Sequence, residues 1–153
     1  MIAVTKDWNL KQKMLSELLK KQDTFFDAMD LCKLMHNELH DINQNNEKNI
    51  YQELLNGLTS KNVVFRPNNH FSSIAWNIWH ITRIEDAISN ILIANTQQVL
   101  TKEWMGRINT SISDTGNAFT ISDVDKFNQR IDTNELFLYR KEVGMKTQRV
   151  LAA

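Results

Sequence analysis

Ser72 to Asn90 reads SSIAWNIWHITRIEDAISN, a run long enough for a five-turn helix and free of proline and glycine. At 100° per residue, Ile74, Ile78, Ile81, Ile88 and Leu92 fall on one side, with Glu85 among them. A carboxylate on an apolar face is costly unless it has an Arg, a Lys, a metal or a hydrogen-bonding network beside it. Arg66, Arg83 and Arg140 are the cations to consider for Glu85, which on these grounds reads as an ion-pair partner rather than a catalytic base. His80 lies farther round the wheel, flanked by Trp76, Ile84 and Ala87, and reads as a half-buried histidine packed on the Trp76 ring.

Outward from this helix the chain stays helical. One proline and four glycines in 153 residues leave little to interrupt helices, so the fold class is all-α. Asp7 or Asn9 caps a first segment through Leu10, Met14 and Leu18, which runs on, directly or after a break near Asp23, to about His40. DINQNNEK, Asp41 to Lys48, is loop chemistry, and a short helix near Ile50 to Leu58 follows, ended with the help of Gly57. Pro67 closes that connection, and Ser72 or Ser73 caps the central helix, which reaches about Ala94. A further short helix is expected within Thr96 to Met105, then a loop over SISDTGN, Ser111 to Asn117. Thr120 or Ser122 caps a brief helical turn, and Asp132 or Thr133 caps a last helix burying Leu136, Tyr139, Val143 and Val150. Neither an internal repeat nor a low-complexity linker divides the chain, so one domain is expected over 1–153.

Eighteen basic residues against eighteen acidic ones give no electrostatic footprint for nucleic acid and no basic run for an acidic membrane surface. No apolar stretch approaches the roughly 20 residues that span a bilayer, and the N-terminus lacks a signal-peptide core, so a cytoplasmic protein is expected. Cys32 is the single cysteine, which excludes an internal disulfide and a cysteine-only zinc site, and it reads as a small apolar filler. GxGxxG, P-loop and GxSxG motifs are absent, which sets nucleotide and triad chemistry aside.

His36 and His40 are spaced i, i+4, so both rings can reach one metal as neutral imidazoles. HNELH is not HExxH, because Glu38 follows His36 by two residues and turns to another face. The wheel aligns His36 with Phe25, Met29 and Cys32, placing it toward the core and His40 nearer the edge. His70, in the polar loop NNHFSS, could cover a site, while Trp76, Trp79 and Trp104 read as core and interface residues.

Three long amphipathic helices are evident, whereas an up-and-down bundle closes most readily with four. The fourth is expected from the N-terminal segment, a partner subunit or residues beyond Ala153, and a homodimer is the simplest remedy.

SIAWNIWHITRIED, Ser73 to Asp86, resembles the central helix of the DinB/YfiT-like superfamily, in particular an uncharacterised bacterial branch. LLNGLTSKNVVFRP at Leu54 to Pro67, LMHNELH at Leu34 to His40, QVLTKEWMGRI at Gln98 to Ile108, DTGNA at Asp114 to Ala118 and IDTNELFLYRKEVGMKT at Ile131 to Thr147 are similar to the same branch. The resemblance implies a four-helix bundle, often dimeric, with a divalent metal such as zinc or nickel held by three side chains. His80 matches the first ligand, with His36 and His40 as the other candidates in this chain. The other two ligands in such members form an H-x3-H or E-x3-H pair on the last helix, but no histidine follows His80, so the expectation is a domain cut short at its C-terminal end. The implied activity is metal-dependent transfer of a small-molecule thiol, with Trp76 and Trp79 as pocket walls and Arg83 anchoring a substrate carboxylate. The competing reading is a non-catalytic helical dimerisation protein without a competent metal site.

Overall fold

The structure, a computed structural model, describes residues 2–40, 50–67 and 72–153. Every regular element among them is helical, with eight α-helices, one 3-10 turn and one π-helical stretch, as the scarcity of glycine and proline requires. The chain divides into two compact units, Met1–Asn56 with Leu151–Ala153, and Gly57–Val150.

In the first unit α1 is Ile2–Leu18, a 3-10 turn follows at Gln22–Thr24, α2 is Phe25–Glu38 and α3 is Ile50–Leu55. The break falls where Asp23 predicts it. Thr24 holds the corner by donating its hydroxyl to the Leu18 carbonyl at 2.6 Å. Asp7 and Asn9 do not cap α1, because the helix starts ahead of them; Asp7 lies one turn before Lys11 and pairs with it at 2.8 Å. Lys11 also pairs with Glu38 of α2, tying the two helices together, and these carboxylate hydrogen bonds raise its pKa. Ala28 and Met35 are the buried apolar residues of α2. The Asp41–Lys48 loop of the sequence reading lies outside the described residues. Gly57 ends the helical stretch after α3 with a positive φ of 76°, as a C-terminal glycine should.

The second unit opens with α4, Ser60–Val64, a short helix that the sequence reading omits although Thr59 and Asn62 form a full capping box at its start. The central helix α5, Ile74–Asp86, is capped by Ser73, whose oxygen accepts from the Trp76 amide at 3.0 Å while its own hydroxyl donates to Asn128 at 2.6 Å. α5 passes without a break into the π-helical stretch Ala87–Ile93. Thr96 to Leu100 is not helical; the next helix, α6, is Lys102–Ile108, capped by Thr101 and ended by Asn109 in the left-handed region at φ 59°. After the expected loop come α7, Ile121–Arg130, a full helix rather than a single turn, and α8, Thr133–Ala152. Asp132 caps α8 by accepting from the amides of Asn134 and Glu135.

Helices of 17, 14 and 20 residues at α1, α2 and α8, with the 13 of α5 prolonged by its π-helical stretch, make four long helices among the described residues. The sequence reading counts three because it takes the N-terminal arm once; the break it allows near Asp23 divides that arm into α1 and α2.

The core of the second unit is aromatic. Trp79, Tyr139 and Leu136 are fully buried, Trp76 and Phe127 nearly so, and Trp76 stacks on Phe119 with centroids 4.8 Å apart. Arg66 forks onto Asp125 of α7 through Nε at 3.0 Å and Nη2 at 2.8 Å.

The capping box of α7 carries a prediction about acid. Hydrogen bonds from the Thr120 hydroxyl and amide hold the Asp123 carboxyl below the ordinary carboxylate range. A depressed folded-state pKa gives a contribution that is complete above the unfolded value near 4 and lost as pH falls through the lower folded one. Amide exchange at the start of α7 is expected to quicken below about pH 4 relative to the middle of α8, after correction for the intrinsic rate. Equal pH dependence at both places would show that the box contributes nothing.

Candidate functional site

The buried face of α5 is not the isoleucine face. Ile78 is buried, but Ile81 is 47 %, Ile88 43 % and Leu92 75 % exposed, while Trp76, Trp79, Thr82, Arg83 and Asp86 turn inward. The reason is a polar network that earns these positions more than hydrophobicity does. The fully buried Asp86 carboxylate accepts from Arg83 Nη1 at 2.9 Å, the Tyr139 hydroxyl at 2.7 Å and Asn90 Nδ2 at 2.8 Å. It also accepts from the amides of Val99 at 2.7 Å and Leu100 at 3.0 Å. The other Nη donors of Arg83 go to Tyr139, Gln98 and the Ser113 carbonyl. One ion pair thereby fastens α5 to α8, to the 97–100 strap and to the loop before α7. Burial, and then the Asp86 charge, push the Tyr139 phenol well above its ordinary value, so it stays protonated and donates.

Arg83 is therefore not placed to anchor a substrate carboxylate, since its guanidinium is buried and committed to Asp86 and its neighbours. Trp76 and Trp79 are buried in the core of the second unit. Arg83 pairs with Asp86, and Arg66 with Asp125. Glu85 is half-buried, and one of its oxygens accepts from the Thr147 hydroxyl of α8 at 2.8 Å. Arg140 donates to Thr82 at 3.3 Å.

His80 is half-buried and its ring lies 6.4 Å from that of Trp76, nearly parallel to it. Its Nδ1 stands 2.7 Å from the Thr115 carbonyl. A carbonyl can only accept, so Nδ1 carries a proton in this contact. The Thr115 carbonyl is held by its neighbour: Gly116 has a φ of 76°, and its amide donates to the Asp114 carboxylate at 2.6 Å. A Cβ on Gly116 would lie 2.1 Å from the Trp76 ring, which explains why DTGNA needs glycine there. His70 lies outside the described residues.

On α2, His36 and His40 sit at the helix end, where the Leu39 amide bonds back to the His36 carbonyl and the His40 amide to that of Asn37. Their rings stack with centroids 4.3 Å apart and planes 23° from parallel. The burial order is the reverse of the wheel reading. His40 is 1 % exposed and His36 half-buried, because the helix ends at Glu38 and His40 departs from the 100° register. Neutral imidazole is the form in which histidine ligates metals.

Asp86 and Gly116 are given no role in the sequence reading, and Tyr139 is read there only as a buried residue of the last helix. The i, i+3 spacing of Arg83 and Asp86 in TRIED was the available sign, and a left-handed glycine two residues after an aspartate was the other. Compared with protein-family models and with curated proteins, the chain matches none. No helix among the described residues is long and apolar enough to cross a membrane.

Proposed function

We propose that this protein binds a divalent metal through His36 and His40, and that the bound metal serves DinB-like thiol-transfer chemistry. The observation that carries the reading is the stacked, i, i+4 histidine pair at the end of α2. A carboxylate is a fitting third ligand for zinc or nickel on two imidazoles. This choice departs from the one suggested by resemblance, which favours His80.

The reaction class and a homodimeric state come from the likeness of Ser73–Asp86 and its flanking segments to the DinB/YfiT-like superfamily. The metal would supply Lewis acidity, lowering the pKa of a small thiol so that it is present as the nucleophilic thiolate.

Cobalt(II), whose visible absorption reports its ligands, tests the ligand set. Titration of the whole chain is expected to give a saturable spectrum, with affinity lowered at least about tenfold in His36→Ala and His40→Ala and unchanged in His80→Ala. Loss confined to His80→Ala would move the site to that histidine and overturn the assignment. No saturable binding in the native chain would favour the non-catalytic helical protein.

A further inference from the structure

A groove of about 410 Å³ lies within the second unit, between α6, the loop after it and α7. Met105, Ile112 and Phe119 contribute apolar walls, and Lys126 and Arg130, one helical turn apart on α7, put two cations on its lining. Asp123 is the acidic residue of the lining, and its carboxylate is engaged by Thr120 in the helix cap. Lys126 makes only a long 3.8 Å approach to Asp123, and the Arg130 guanidinium has no ion pair or hydrogen bond among the described residues. The groove thus pairs apolar surface with the unpaired guanidinium of Arg130 and the loosely paired ammonium of Lys126.

Gly106 gives an independent sign. It lies inside α6 and lines the groove, yet its φ is not positive and a Cβ there would meet nothing within 4 Å. Glycine is the poorest helix former after proline, and neither backbone strain nor packing requires it at this position. Keeping the groove open is the remaining physical consequence of having no side chain there.

We propose that this groove binds a small monocarboxylate with an apolar body, the carboxylate on Arg130 and Lys126 and the body over Gly106 against Phe119 and Ile112. A fork of guanidinium donors matches a carboxylate, and a short alkyl or aryl group matches the walls. The site does not depend on the metal reading above.

Hexanoate is a suitable probe, followed by amide shifts of the full chain, with hexanol and inorganic phosphate as the apolar and anionic halves alone. The expected result is saturable shifts within 105–112 and 119–130, with hexanol and phosphate each roughly fivefold or more weaker. Arg130→Gln, an exposed change that leaves the fold intact, should weaken hexanoate about fivefold, and Gly106→Leu should abolish its binding. Absence of saturable shifts, phosphate or hexanol binding as well as hexanoate, or unchanged hexanoate affinity in Arg130→Gln would each overturn the proposal. Should Gly106→Leu fail to fold, the Arg130→Gln comparison decides alone.

Discussion

Asp86→Ala is expected to lower the stability of the chain by about 3–5 kcal/mol, the cost typical of stranding a buried charge. The substitution leaves Arg83 buried beside a hydroxyl and two amides that have lost their acceptor. Since a domain is stable by only about 5–15 kcal/mol in all, the loss should appear as a large fall in the urea midpoint. Arg83→Met combined with Asp86→Leu removes both charges and should be less damaging than Asp86→Ala alone, because no uncompensated ion remains. A double variant as unstable as the sum of its single changes would show that Arg83 and Asp86 are not energetically coupled.

Gly116→Ala is the second large effect. The change asks an L side chain to adopt a φ of 76° and sets its Cβ 2.1 Å from the Trp76 ring. The left-handed backbone costs roughly 1–2 kcal/mol and the forced repacking of Trp76 about 1–3 kcal/mol more. Gly57→Ala is the matched comparison, for Gly57 has the same φ of 76° and open space where its Cβ would stand. It should therefore show the backbone cost of about 1–2 kcal/mol alone. The difference between the two urea midpoints isolates the contact with Trp76. Equal losses in both variants would contradict the close packing of the DTGNA loop on that ring.

The all-helical class was legible because helix signals are local. Ser73, Thr101, Thr120 and Asp132 cap helices by reaching amides two or three residues away, and three of these four positions stand out from the sequence. The inward face of α5 was not legible. Counting isoleucines selects the side carrying Ile81, whereas burial goes to the side carrying Arg83 and Asp86, whose partners Tyr139, Val99 and Leu100 lie 13 to 53 residues away. No periodicity rule registers such partners. After Asp86 the helix changes to π geometry, with a wider turn than 3.6 residues, so a 100° wheel also loses phase at Ile88 and Leu92.

The histidines divide in the same way. The pairing of His36 with His40 follows from i, i+4 spacing, but the deep burial of His40 depends on where the helix stops. For His80 the contact with Trp76 was readable one turn back, whereas the Thr115 carbonyl on Nδ1 comes from a loop 35 residues later.

Bound divalent metal, measured by elemental analysis on the untagged 153-residue chain beside His40→Ala after loading with zinc or nickel and exhaustive dialysis, tests the central claim most directly. The account predicts about one metal ion per native chain, and close to none in the variant. Metal at background in the native chain, or undiminished in His40→Ala, would contradict it.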